Sequence, residues 1–177
     1  MDNQFDIKRI LVSDDNIFIY KLTSNSKDIK RMSRFLNKQP ESHIEPWGNR
    51  YTLKECGKRI SLCDKGDILL CAIIEKKDGY QVVGLIGYNY NEEYIIPEFA
   101  KCNFSHVIID SMCLRRSLAT QSMKLLLQYL KTKETNFTKI YAAIYDENKG
   151  SIILHKQLGF VFVKKKLGIN VLEYKLK

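Results

Sequence analysis

The fold is decided by residues 106–160, which open with HVIIDSMCLRRSLAT at 106–120. Val107-Ile108-Ile109 is a short apolar run of the kind that buried parallel strands show. Apolar residues between Met123 and Leu130 then keep three- and four-residue steps, which predicts a helix. A second strand is predicted at 139–145, and two strands separated by a helix run parallel through a right-handed crossover. The helix therefore begins at the carboxyl end of a strand, where free backbone N–H groups and the helix dipole favour phosphate.

The end of this stretch, NKGSIILHKQLGF at 148–160, carries a specific motif. It resembles the pattern of the GNAT superfamily, the acyl-CoA-dependent N-acetyltransferases: Asn, then Ser or Ala three residues on, then Leu-Tyr, then Leu-Gly-Phe. Only the tyrosine position departs, with His155 in its place. The resemblance spans roughly residues 15–177 and implies an α/β (α+β) GNAT fold, and since no linker is visible, we expect residues 1–177 to form a single acyl-CoA N-acyltransferase domain. Its mixed central sheet would have about six to seven strands in the order β-α-α-β-β-β-α-β-α-β-β, with two splayed parallel central strands.

The predicted phosphate loop matches the family less closely. The family has an apolar residue, Asp-Pro, two variable residues and Arg-Gly-x-Gly-Ile-Ala, whereas this chain has Ile109-Asp110-Ser111 and then LRRSLA at 114–119. Arg115 and Ser117 stand where the family has glycines, which permit unusual backbone angles and close approach to pyrophosphate. We expect both residues to hold the loop with ordinary angles, while Arg115 and Arg116 add charge-assisted contacts to the phosphates. The alternatives are impaired cofactor binding, or two arginines on a solvated helix start.

The resemblance also assigns roles around the donor, acetyl-CoA (coenzyme A), whose pantetheine arm would lie between the splayed strands. The amide of Ile109 is expected to polarise the thioester oxygen as an oxyanion hole does. His155 is the second catalytic candidate, because an imidazolium can protonate the leaving thiolate. The alternative is that His155 packs on its helix or bonds a carbonyl. The expected cofactor-binding residues are Ile109, Ser111, Arg115, Arg116, Ser117, Leu118, Ala119, Thr120, Asn148 and Ser151.

The candidates for the substrate site that binds the acceptor are Trp47, Glu93 and His106. Trp47 lies in an irregular loop, and it could form a wall of that site or a lid packed on the domain. Glu93 belongs to a loop whose carboxylates could meet a cationic amine, although such charges are more often simply solvated. A base should relieve the amine of a proton, and His106, Ser105 and Glu93 are the candidates. An isolated strand histidine is more often structural.

The composition is typical of one globular domain. The 177 residues are 45% hydrophobic and 28% charged. No apolar run approaches the ~20 residues of a membrane helix, and the first residues lack the pattern of a secretory signal. Five cysteines form no CxxC pair, and with three histidines they make no zinc pattern. We therefore expect a cytoplasmic protein with reduced thiols, no metal and no membrane partner.

The net charge of +9 could serve nucleic acid, an anionic membrane surface or an anionic small ligand. The lysines are spread along the chain without a recognition-helix signature, so a basic surface that attracts a phosphate-rich cofactor is the simpler interpretation. The expected partners are therefore acetyl-CoA and a small amine-bearing acceptor, without nucleic acid, for a monomer or homodimer.

Three functions remain open on the sequence alone. The first is an N-acetyltransferase that transfers an acetyl group from acetyl-CoA to a primary amine by direct attack on the thioester. The second is a catalytically inactive acyl-CoA-binding module of the same fold with an interaction or regulatory role, which the missing glycines motivate. The third is a basic nucleic-acid-associated domain.

Overall fold

The computed structural model describes residues 5–40, 51–65, 68–77, 79–91, 96–133 and 137–177. Within these ranges the chain forms one mixed sheet of eight strands and four α-helices. The strands are β1 Ile10–Ser13, β2 Ile17–Lys21, β3 Ile68–Glu75, β4 Gln81–Asn91, β5 Cys102–Ile109, β6 Lys139–Tyr145, β7 Val161–Lys166 and β8 Ile169–Lys175. The helices are α1 Ser26–Lys38, α2 Leu53–Lys65, α3 Leu118–Thr132 and α4 Lys149–Gln157.

The element order confirms the predicted fold class. From β2 onward the chain follows the order β-α-α-β-β-β-α-β-α-β-β. The sheet has one strand more than the upper predicted number, because Ile10–Ser13 pairs with β2 as an additional edge strand. The apolar run Ile10-Leu11-Val12 suggests a short extra strand, and the structure has one there, with a bulge in its register.

The splayed parallel pair is also confirmed. The sheet order is β1-β2-β3-β4-β5-β6-β8-β7, and β5 and β6 are its parallel neighbours. Among the described strands, β5 pairs with β4 along its whole length, from Gly84↔Ile109 to Asn91↔Cys102. With β6 it pairs at Phe104↔Tyr141 alone. The carboxyl ends of β5 and β6 therefore diverge and leave a gap in the middle of the sheet.

Helices cover both faces of the sheet because the buried strands carry apolar side chains on both sides. Helix α3 packs on one face, through an apolar cluster that includes Met123, Leu126, Leu130, Ile140 and Ile144. Helices α1 and α2 pack on the other face, through Met32, Leu36, Ile60, Leu70 and Ile74. A smaller cluster of Ile96, Phe99, Phe104, Ile169 and Val171 closes the second face beside β6.

The ends of α1 follow from local sequence. Asn25 caps the helix, since its side chain accepts a hydrogen bond of 2.9 Å from the amide of Asp28. Gln39 leaves the helix with extended angles, as a residue before proline prefers. No helix within the described ranges is long and apolar enough to cross a membrane.

Candidate active site

A cavity of about 520 Å³ opens beside the gap between β5 and β6. The end of β5, the first turn of α3 and one face of α4 enclose it. Its lining residues are Val107, Ile109, Cys113, Leu114, Arg115, Ser117, Leu118, Ala119, Thr120, Asn148, Gly150, Ser151, Ile153, Leu154 and Gln157. Eight of the ten residues expected to bind the cofactor belong to this set, and Ser111 and Arg116 do not. The crossover therefore brings together two motifs that lie about 30 residues apart in the chain.

The amide of Ile109 faces the gap. The next amide along the strand, that of Asp110, donates to the carbonyl of Val83 on β4 at 2.8 Å. Successive amides of a strand point to opposite sides, so the Ile109 N–H points away from β4 and toward β6. Because the β5–β6 pairing is confined to Phe104 and Tyr141, this N–H is directed into the divergent part of the sheet.

The start of α3 supplies further donors. The first amide to make an α-helical bond is that of Gln121, which donates to the Ser117 carbonyl at 3.0 Å. The amides of Leu118, Ala119 and Thr120 precede it, so they have no partner inside the helix. Ser117 occupies the cap position but makes no side-chain capping bond. Uncapped donors and the positive end of the helix dipole thus meet at one end of the cavity.

The expectation of ordinary backbone angles at Arg115 and Ser117 is wrong. Both residues lie in the left-handed region, with φ of 62° and 58°. These are the two positions at which the family has glycine. The chain therefore retains the backbone path that glycine favours, although each side chain makes that path less favourable by ~1–2 kcal/mol. The loop shape is preserved and the glycines are not required for it.

Ser111 and Arg116 are engaged elsewhere. The amide of Ser111 donates to Oε1 of Gln39, at the end of α1, at 2.9 Å. The guanidinium of Arg116 forms an ion pair with Glu75 on β3 and lines a separate surface pocket beside that residue. Both contacts join residues far apart in sequence, so local patterns could not reveal them.

Sequence reasoning missed several lining residues that periodicity could have found. Val107 lies two residues before Ile109, on the same face of β5. On α4, Ile153, Leu154 and Gln157 follow Gly150 at helical spacing. A side chain added at Gly150 would meet no atom within 4 Å, so this position lies open to the cavity.

His155 is 3% exposed and does not line the cavity. Its Nδ1 lies 2.8 Å from the carbonyl oxygen of Ser151, which requires the proton on Nδ1. Its Nε2 is buried, with no hydrogen-bond partner among the described residues. Burial lowers the pKa of His155, although the hydrogen bond to Ser151 opposes this shift. The ring is therefore neutral at neutral pH, and it packs edge-on against Phe160.

Asn148 begins α4. Its Oδ1 accepts a hydrogen bond of 3.0 Å from the amide of Ser151, so the side chain that would contact the pantetheine arm also caps the helix. The hydroxyl of Ser151 lies 3.4 Å from Nδ1 of His155. These contacts hold Asn148 and Ser151 at the wall of the cavity opposite α3.

Of the four residues expected near the acceptor amine, two are described by the structure, His106 and Ser105. Trp47 and Glu93 lie outside the described residues. His106 alternates with Val107 on β5, so it faces away from the cavity and toward α2. Burial, with a smaller contribution from the Arg59 charge, lowers the pKa of His106 to about 3. The Ser105 hydroxyl donates to the Tyr141 carbonyl at 3.1 Å and bridges β5 to β6.

Within the described ranges, no cluster of three or more His, Cys, Asp or Glu could hold a metal ion.

The chain is similar to known proteins in sequence pattern and in fold. The family model for the acetyltransferase (GNAT) domain matches residues 17–161. A Bordetella pertussis protein assigned to the GnaT family of acetyltransferases has a TM-score of 0.74 at 16% identity, over 92% of this chain and 97% of its own. For the GNAT domain of S. lividans PAT the values are 0.71 and 14%, over 90% of each chain. For an acetyltransferase from Thermus thermophilus they are 0.67 and 14%, over 90% and 96%. A search of curated proteins found no match.

Proposed function

Because the chain belongs to the GNAT family of acetyltransferases, we propose that it transfers an acetyl group from acetyl-CoA to a primary amine of an acceptor. Family membership makes the protein an acyltransferase with an acyl-CoA donor. The acetyl group, the amine and the direct attack on the thioester belong to the proposal. In that reaction a C–N bond forms while the C–S bond breaks, the amine loses a proton and the leaving sulfur gains one.

One observation carries the proposal: the amide of Ile109 points into the gap between β5 and β6, beside the cavity. A fixed backbone N–H in this place can donate to a thioester oxygen. The bond strengthens as negative charge develops on that oxygen, and it requires no rearrangement of the protein. We therefore assign the polarisation of the carbonyl to Ile109.

The residues that enclose the cavity fit the rest of an acyl-CoA molecule. Its pyrophosphate is an anion, and the uncapped amides of Leu118, Ala119 and Thr120 offer donors and a positive helix end. Arg115 stands exposed on the cavity wall, where its guanidinium can add a charge-assisted bond. Arg116 is paired with Glu75, so we leave it out of the phosphate site. Asn148 and Ser151 face the opposite wall.

For His155 the geometry favours a packing role over proton donation. An acid at this place would need protons on both ring nitrogens, and burial opposes the charged ring. We propose that His155 ties α4 together through Ser151 and Phe160. We further propose that solvent protonates the leaving thiolate. His106 is a poor candidate for the base. With a pKa of about 3, its imidazole does not take up the proton of an amine near neutral pH.

The second candidate, an inactive acyl-CoA-binding module, rested on the missing glycines. The left-handed angles at Arg115 and Ser117 remove that reason, since the loop keeps its path without glycine. The module nevertheless gives a clear experimental outcome: tight CoA binding without thiol release in the presence of any amine.

Calorimetry with acetyl-CoA and a thiol-release assay with a panel of amines test the proposal. We expect saturable binding near a 1:1 ratio and release of CoA that depends on the amine. A Thr120→Glu variant places a carboxylate at the start of α3 and should weaken binding by about tenfold. Gln128→Glu makes the same charge change on an exposed part of α3 and should leave binding unchanged. Absence of CoA binding by the wild-type protein would refute the proposal.

A further inference from the structure

The residue after Ile109 is an acid in an unusual place. The Asp110 carboxylate is almost fully buried, at 4% exposure, and its own backbone amide anchors the end of β5 to Val83. Its Oδ1 also accepts a hydrogen bond of 3.0 Å from the amide of Met112. These bonds hold a negative charge beside the amide that we assign to the thioester oxygen. Uncompensated, that charge would oppose the negative charge that develops on the oxygen during transfer.

Among the described residues, the cation that pairs with this charge is Lys38. Nζ of Lys38, the last residue of α1, lies 2.9 Å from Oδ2 of Asp110. Burial would raise the pKa of Asp110, but the bonds from Lys38, Met112 and Gln39 outweigh it and the pKa is lowered. The carboxylate is therefore ionised at neutral pH, and Lys38 is the cation that pairs with it.

The contact joins an exposed cation to a buried acid. The Lys38 side chain is 63% exposed, whereas that of Asp110 is 5% exposed. Removing one partner of a pair with a buried acid leaves that acid's charge uncompensated, even where water takes the place of the ammonium as a hydrogen-bond partner. Water does not replace its charge. Gln39, the next residue, accepts a hydrogen bond from the Ser111 amide. The end of α1 is therefore joined to the end of β5 without Lys38.

We propose that Lys38 is a positioning residue for acetyl transfer, which acts by neutralising Asp110 beside the Ile109 amide. The inference rests on the proposed function, since it concerns the same thioester oxygen. It predicts that Lys38 affects turnover and leaves the binding of free CoA, which has no thioester carbonyl, unaffected.

The test compares Lys38→Met, Lys38→Arg, Asp110→Asn and the double variant Lys38→Met/Asp110→Asn, with Lys30→Met as the control for the same charge change on α1. For Lys38→Met we expect kcat to fall about tenfold, while Kd for CoA changes little. Lys38→Arg keeps the charge and should keep most of the activity. The double variant should recover most of the lost kcat, because it removes the Asp110 carboxylate together with the Lys38 ammonium.

Two results would overturn the inference alone. One is a Lys38→Met enzyme whose kcat stays within twofold of a wild-type protein that turns over. The other is a folded double variant as slow as Lys38→Met, which would show that the loss does not come from the Asp110 charge. If the wild-type protein neither binds CoA nor releases thiol, the proposed function fails and this inference fails with it.

Discussion

Replacing Ser117 with glycine is expected to stabilise the protein. Ser117 has φ of 58°, and no side-chain capping bond offsets the strain that its Cβ adds to the loop. Removing the Cβ of a left-handed residue stabilises the folded protein by ~1–2 kcal/mol. The greater conformational freedom of glycine in the unfolded chain destabilises the folded protein by ~0.5–1 kcal/mol. The net gain is roughly 0–1.5 kcal/mol, with a central value of ~0.75 kcal/mol. In a domain of this size the central value corresponds to a rise in Tm of about 1.5–3 °C.

Thermal and urea unfolding measure this gain, and calorimetry shows whether the CoA site is preserved. Ser117→Ala is the matched control: it removes the hydroxyl, keeps Cβ, and should give no gain. Leu167→Gly relieves a second left-handed residue, with φ of 53°, in the β7–β8 turn, and Leu167 does not line the cavity. It should stabilise the fold without any effect on CoA. A Ser117→Gly protein that is less stable than wild type, or an equal gain from Ser117→Ala, would refute the strain at this position.

The remaining predictions concern charge and protonation. Arg115→Ala should weaken CoA binding several-fold and flatten its salt dependence, whereas Arg116→Ala should do neither, because its partner is Glu75; equal effects of the two would contradict the assignment. His155→Phe should reduce stability more than kcat, and a loss of turnover in a stable variant would restore proton donation to His155. The free energy of unfolding should also fall as the pH drops from about 6.5 to 5. In that range His106 is protonated in the unfolded chain, whereas in the folded protein its pKa of about 3 keeps it neutral. His106 alone accounts for about 2 kcal/mol at pH 5, and His106→Gln should flatten the profile measured by urea unfolding.

The parts of the fold that local pattern determines could be predicted. The spacing of apolar residues in α3 and the run at Val107-Ile108-Ile109 suffice for a parallel crossover, because a helix between two strands leaves one favoured hand. The motif at 148–160 then places α4 beside the start of α3. Eight of the ten predicted cofactor-binding residues share the cavity for this reason.

The parts that depend on distant contacts could not be predicted. The left-handed angles at Arg115 and Ser117 are ones that the identity of these side chains argues against. The partner of the Ser111 amide lies 72 residues away in sequence, and that of Arg116 lies 41 residues away. The sequence also places His155 in the motif without revealing its burial or its bond to Ser151. These features decide which residues are available for chemistry.

A crystal structure with acetyl-CoA bound would show whether the Ile109 amide holds the thioester oxygen. The distance to measure joins the Ile109 backbone nitrogen to the thioester oxygen. We predict about 2.7–3.1 Å, with the pyrophosphate over the amides of residues 118–120. A bound molecule whose thioester lies outside the gap between β5 and β6, or whose oxygen bonds another group, would contradict the account.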